Sequence, residues 1–216
     1  MRVKSFFLLI LLLIPVNIYS QPCNEETHLV AYWSFDDSTA KDHSGNGFHG
    51  TMVNNPTPTE GVIGKAAMHF IGKNDFVLND GNISNIGSHI LLPDIPFDQY
   101  DGFTISMWVR FVSFTAPEGE TFISYGHHNY GWLGIFDITQ FGIQGIQFAV
   151  GADLSGAYPI LAQYPENRYD WVQYLMTWEN NVLSAYINGE LQGQINQNIK
   201  VAGPKGALAR HWWNYQ

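Results

Sequence analysis

Asp42, Ser44 and Asn46 occupy alternate positions in the stretch Lys41-Asp42-His43-Ser44-Gly45-Asn46-Gly47-Phe48-His49-Gly50. A carboxylate, a hydroxyl and an amide at that spacing, with glycines freeing the carbonyls between them, could supply part of the shell of about six to eight oxygens that Ca²⁺ takes. Asp42 and Asn46 are the side chains that such a structural Ca²⁺ would use. The same residues also suit an Asx-turn, in which Asp42 and Asn46 cap their own backbone. Both readings stand at the level of the sequence.

A second group is aromatic and amide-rich. Tyr125, His127, Asn129, Tyr130 and Trp132 cluster in one stretch of a chain with 7 Trp and 11 Tyr. Rings that stack and amides that hydrogen-bond are the chemistry of a glycan site, and these five are the candidate ligand-binding residues. Most other rings, Trp108, Trp171 and Trp178 among them, fall inside strand-like runs and are expected to be structural, in the core or at the sandwich edge, since aromatics dominate β cores. His127 and His128 are adjacent, so a strand would point them to opposite faces and away from a shared metal.

Chemistry that breaks bonds is harder to find. A retaining glycosidase needs two carboxylates facing each other across a groove. Gly134-Ile135-Phe136-Asp137-Ile138-Thr139 offers the single acid Asp137, and Glu118 and Glu120 sit with Pro117 and Gly119 in a turn. There is no nucleophile elbow and no phosphate loop, since Gly61-Val62-Ile63-Gly64-Lys65 has the wrong spacing. No catalytic residue is assigned.

Strands must position these residues. Phe103, Ile105, Met107, Val109 and Phe111 alternate with Thr104, Ser106, Trp108 and Arg110, the period of a strand with one face in a core. Further strands are expected at Val30–Phe35, Ala66–Phe70, Asp75–Leu78, Thr121–Tyr125, Trp132–Ile138, Gly145–Val150, Trp171–Trp178 and Val182–Ile187. Asn188-Gly189 marks a two-residue hairpin, because a type I′ turn needs positive φ at both positions. Residues 54–61 and 79–101 read as loops. Regular turn signals and 21 glycines describe an antiparallel sandwich.

Composition sets the setting. The net charge is −9 and charged residues make up 13 % of the chain, which excludes the basic patch that nucleic acid requires. Arg2 and Lys4 followed by the apolar run Phe6 to Val16, with Ser20 at the cleavage position, form a secretory signal over residues 1–20. The run is too short to span a bilayer, so no membrane insertion is expected once the signal is removed. Pro22 before Cys23 argues against lipidation, and the lone Cys23 rules out an internal disulfide. Residues 21–28 are then a short N-terminal segment and 29–216 a single domain, with the mature chain secreted or held at the cell surface.

Tyr32-Trp33-Ser34-Phe35-Asp36-Asp37, the glycine-rich turn after it, Gly61-Val62-Ile63-Gly64-Lys65-Ala66-Ala67-Met68-His69-Phe70, Phe103-Thr104-Ile105-Ser106-Met107-Trp108-Val109 and Tyr186-Ile187-Asn188-Gly189 occur in that order. This succession resembles the laminin-G-like jelly-roll domains of secreted bacterial proteins, a branch of the concanavalin A-like lectin/glucanase sandwiches. The resemblance implies an all-β fold, a two-sheet antiparallel jelly roll. It implies a non-catalytic module that binds glycans or cell-surface and matrix partners. The alternatives it leaves are a glycoside hydrolase-related domain and a purely structural adhesion domain. It also implies a Ca²⁺ at the Asp42 turn, usually completed by an acid from a final strand. Since no such strand follows Arg210-His211-Trp212-Trp213, the domain is expected to be C-terminally incomplete, with its last strand lacking.

Overall fold

The computed structural model describes residues 28–71, 87–112, 121–127, 131–138, 144–151, 159–199 and 206–209. Thirteen strands and one 3-10 turn (Phe97–Gln99) account for their regular structure. The chain is all-β, and every strand pairing is antiparallel.

Seven strands form one sheet: β1 (Thr51–Val53), β4 (His89–Leu92), β13 (Gly206–Leu208), β6 (Thr121–His127), β7 (Gly131–Ile138), β8 (Gly145–Gly151) and β9 (Ile160–Ala162), side by side in that order. Four form the facing sheet: β12 (Glu190–Asn196), β11 (Val182–Ile187), β10 (Val172–Glu179) and β5 (Gly102–Val109). A separate hairpin joins β2 (Thr57–Glu60) to β3 (Ala66–His69). β12 lies over β9 and β11 over β8, which fixes how the two layers are superimposed.

Alternation decides what meets between the layers. β10 turns Val172, Tyr174, Met176 and Trp178 inward, all buried, against Leu133, Ile135, Ile146, Phe148 and Val150 of the larger sheet. Each such aliphatic or aromatic side chain contributes about 1.5–3 kcal/mol by leaving water. The Trp178 indole N–H, which burial would otherwise strand, donates to the carbonyl of Gln197 at 2.7 Å. Trp171 carries the Arg110 guanidinium over its ring at 5.0 Å, and Trp108 points outward from β5, exposed.

Several expectations shift. Val30–Phe35 forms no strand; its extended backbone is held by side chains instead, with the Trp33 indole donating to the Phe48 carbonyl at 2.9 Å. The Asp36 carboxylate accepts the N–H groups of Lys65 and Ala66 at 2.6 and 3.0 Å and ties this segment to β3. The residues read as loops hold β2, β4 and the 3-10 turn. β2 escaped notice because Pro58 cannot donate to a ladder, and it survives by pairing on one side. On β5, Phe103, Ile105, Met107 and Val109 face inward but are only half-buried, while Phe111 beyond the strand end is buried. Asp75–Leu78 lies outside the described residues.

The hairpin expected at Asn188-Gly189 is present. Both residues have positive φ, 50° and 82°, and Ile187 pairs with Glu190 across the turn.

Candidate functional site

Asp42 is buried, and its carboxylate is the centre of a closed turn. Oδ1 accepts the N–H groups of Tyr32 (2.9 Å) and Ser44 (2.8 Å). Oδ2 accepts the Ser44 hydroxyl (2.8 Å) and the Phe48 N–H (2.9 Å). Burial pushes the carboxyl up, but these donors outweigh it and hold Asp42 below the ordinary carboxylate range. Asn46 donates from its amide to the carbonyls of Leu29 (2.8 Å) and Val30 (3.0 Å). Gly45 and Gly47, at φ of 91° and 83°, let the chain turn within this space. The arrangement is an Asx-type turn that staples the N-terminal segment. A cation at Asp42 and Asn46 would have to displace donors that already fill both carboxylate oxygens. That donor set does not suit Ca²⁺.

Of the five residues expected to form a ligand site, Tyr125 and Trp132 face opposite sides of the sheet. Tyr125 is 1 % exposed. Its ring faces the core, edge-on to Phe97 at 4.9 Å between centroids, and a Cβ on Gly206 would lie 2.4 Å from it. It belongs to packing rather than to a binding surface, because in β6 the inward alternation reaches it. Trp132 stands on the opposite face of the sheet, in register with Gly126 and Gly151. His127 ends β6, and Asn129 and Tyr130 lie outside the described residues. The mouth of this hairpin is tight: Gly126, at φ 78°, would bring a Cβ within 2.3 Å of the Gly131 carbonyl.

A different constellation surrounds Trp132. On the outer face of the seven-stranded sheet a row of small residues runs across four strands: Ala207, Ser124, Gly134 and Ala149, in register. Phe136 lies buried on this face beside Ala149, and the half-buried Trp132 packs against it at 5.5 Å between ring centroids. The neighbouring register line carries Thr121, Phe136, Gln147 and Leu161. Gln147 is half-buried, and its amide has no hydrogen-bond partner among the described residues. The half-buried Trp132 and Gln147 and the exposed Leu161 therefore lie on the same face of the sheet as these small, buried side chains. Sequence reading found Trp132 and missed Phe136 and Gln147. The signal was there: Gln147 interrupts an otherwise apolar run on β8 at a position of outward parity.

Asp137, the one acid on β7, faces the interior with Leu133 and Ile135. It is buried and accepts the Tyr164 hydroxyl. Loss of water pushes its carboxyl up, with the Tyr164 hydrogen bond and the Arg168 charge opposing. Arg168 stacks on Tyr164 (5.0 Å) and Tyr169 (5.3 Å). Burial raises the Tyr174 hydroxyl as well, and Asp137 adds to that rise. The carboxylate thus closes one end of the core and does not line a surface groove. Glu118 and Glu120 lie outside the described residues. Among the described residues no group of three or more His, Cys, Asp or Glu is placed to hold a metal, and no helix is long and apolar enough to cross a membrane.

No curated protein sequence matches the chain. Among solved structures, domain 4 of the extracellular arabinanase AbnA from Geobacillus stearothermophilus, in complex with arabinotriose, is 22 % identical. It covers 85 % of this chain and 84 % of its own length, at a TM-score of 0.62. Botulinum neurotoxin type C, whose cell entry depends on interaction with two ganglioside molecules, is 17 % identical. The match covers 87 % of this chain and 43 % of the toxin chain, at a TM-score of 0.65. Both likenesses concern the fold. The family model for laminin G-type domains matches residues 81–214, more than half of the sequence. With its two antiparallel layers, its Asx-stapled N-terminal segment and its Asn-Gly hairpin, the chain belongs to the concanavalin A-like lectin/glucanase superfamily.

Proposed function

We propose that the protein is an extracellular, non-catalytic binding module that recognises glycans or glycan-bearing cell-surface or matrix partners through the outer face of its seven-stranded sheet. The observation that carries this reading is that the half-buried Trp132 and Gln147 share the outer face of that sheet with the exposed Leu161, with Phe136 packed against Trp132 and in register with Gln147. A sugar presents an apolar face to a ring and hydroxyls to an amide, and such sites combine a few convergent polar groups with apolar walls. The arabinanase domain is described with an arabinose oligosaccharide and the neurotoxin with gangliosides, which supports the ligand class. Export through the signal over residues 1–20 brings the module to such ligands.

The inward position of Asp137 supports binding without turnover. A glycan array probed with the mature chain, followed by titration of any hit against Trp132→Ala and Gln147→Ala, tests the reading. Binding lost in both variants while the fold is retained is the expected result. Binding untouched by either would move the site elsewhere. Release of reducing sugar from a bound polysaccharide would replace the reading with a hydrolase.

A further inference from the structure

The outer face of the four-stranded sheet is the other broad face of the sandwich. Alternate positions on β10 and β11 fill the core, so the residues between them point away from it. Three register lines cross that outer face. Thr104, Thr177, Ser184 and Gln194 stand side by side on β5, β10, β11 and β12. Ser106, Leu175, Tyr186 and Leu191 form the next line, and Trp108 beside Gln173 starts the third. At about 4.8 Å between strands and about 3.4 Å per residue, these lines cover roughly 14 by 14 Å.

Two features set the face apart. The first is its charge. None of these residues is acidic or basic, in a chain of 19 acidic and 10 basic residues whose charged side chains belong at the surface. Glu179 and Glu190 stand at its margins, at the end of β10 and the start of β12. The second is that the face is accessible and already ordered. Thr104, Ser106, Trp108, Leu191 and Gln194 are exposed, Trp108 by 38 % and Leu191 by 52 %. The Gln173 amide donates to the Ser106 hydroxyl at 3.1 Å, and the Gln194 amide to the Ser184 hydroxyl at 2.9 Å. These bonds hold amides and hydroxyls against the sheet, so less side-chain freedom is lost when a ligand arrives.

We propose that this face is a second binding surface, for an uncharged polysaccharide strand lying flat across the four strands. Trp108, Tyr186 and Leu191 meet the apolar faces of the sugar rings. The line from Thr104 to Gln194 exchanges hydrogen bonds with the sugar hydroxyls. Charge complementarity selects this occupant. A polyanion is repelled by a chain of net charge −9, and a polycation meets carboxylates at the margins but none within the patch. A second copy of this chain fits poorly, because permanent homodimer interfaces are more apolar than these rows of hydroxyls and amides. The proposal rests on the glycan class of the reading above but on a different sheet from Trp132. One module then bridges two glycan strands, one on each face.

Depletion of the mature chain from solution by particles of cellulose, chitin and mannan is the measurement, with polygalacturonate beads as the anionic control. The expected result is saturable uptake by at least one neutral polymer and none by the polyanion. Trp108→Ala, at an exposed position, should weaken uptake roughly tenfold or more, the scale of one ring's buried area, with Tm near the wild type. Ser106→Glu sets a charge in the neutral patch and should do the same. Trp132→Ala separates this proposal from the reading above: uptake is expected to fall in part and to persist. Uptake that is lost with Trp132→Ala and untouched by the Trp108 and Ser106 variants overturns the proposal and leaves that reading standing. Failure of all three neutral polymers to take up the chain overturns the proposal, whatever a glycan array shows for short ligands. A chain that is dimeric at the same concentration and becomes monomeric in Ser106→Glu also overturns it, by assigning the face to a second copy.

Discussion

Phe136 folds its ring over Gly134, so closely that a Cβ on Gly134 would fall 2.2 Å from the Phe136 Cζ atom and 2.7 Å from the Ile123 carbonyl oxygen. The glycine makes room for the ring that in turn supports Trp132. Gly134→Ala forces the ring or the backbone to move. Overpacking of this kind costs about 1–3 kcal/mol, so a lower Tm is expected together with weaker ligand binding. Phe136→Ala removes the ring but leaves the Ile123 carbonyl 2.7 Å from the added Cβ and takes away the support under Trp132, so the double variant should stay destabilised and should not recover binding.

The Asp42 turn predicts a stability defect that is independent of calcium. Asp42→Ala strands the N–H groups of Tyr32, Ser44 and Phe48 and should lower stability by about 2–4 kcal/mol. Because the folded state holds this carboxyl below its unfolded value, its contribution is present above the unfolded pKa, near 4. It is lost as pH falls through the folded value. Chelator should leave the wild-type Tm unchanged. A Tm that drops with chelator, and no longer does so in Asp42→Ala, would restore Ca²⁺ to the turn.

Asp137 carries the opposite sign. Its carboxyl is pushed up in the folded state, so the stability linked to it is full below the unfolded pKa and declines as pH rises through the folded value. Asp137→Asn keeps a hydrogen-bond acceptor for Tyr164 and removes the ionisation. The variant should gain on the wild type as pH climbs from about 4 toward 7. Parallel Tm-against-pH curves for the two proteins would refute this.

The half-covered strand predicts an order of damage. Met176 is buried and Met107 half-buried on adjacent strands, and Ser106 is exposed. An aspartate leaves an unpaired charge in proportion to burial. Thermal melts should therefore rank Met176→Asp as most harmful, Met107→Asp next at about 2 kcal/mol, and Ser106→Asp near wild type.

Strand type and facing were legible wherever a run was long. The alternation from Phe103 to Val109 and the apolar run on β8 both announced themselves, and Asn188-Gly189 announced its turn. Short strands were not legible: β4 is four residues whose pairing with β13, over a hundred positions away, creates it. The candidate site was half legible. Trp132 lies on the outer face of β7, whereas Tyr125 packs into the core, because side chains alternate between the two faces and Tyr125 sits opposite Leu133 rather than Trp132. No local pattern reveals that Asp42 will spend both oxygens on donors from Tyr32 and Phe48; that depends on how the N-terminal segment lies across the turn.

The place of β13 also bears on synthesis. Gly206–Leu208 sits in the interior of the larger sheet, with β4 on one side and β6 on the other. While the chain is being made, β10, β11 and β12 can zip into a meander from neighbouring residues, but β4 and β6 must wait with open edges until these three residues have left the ribosome. The larger layer thus closes last and all at once, so that stalled or prematurely released chains would expose two unsatisfied strand edges to holdase chaperones and proteases.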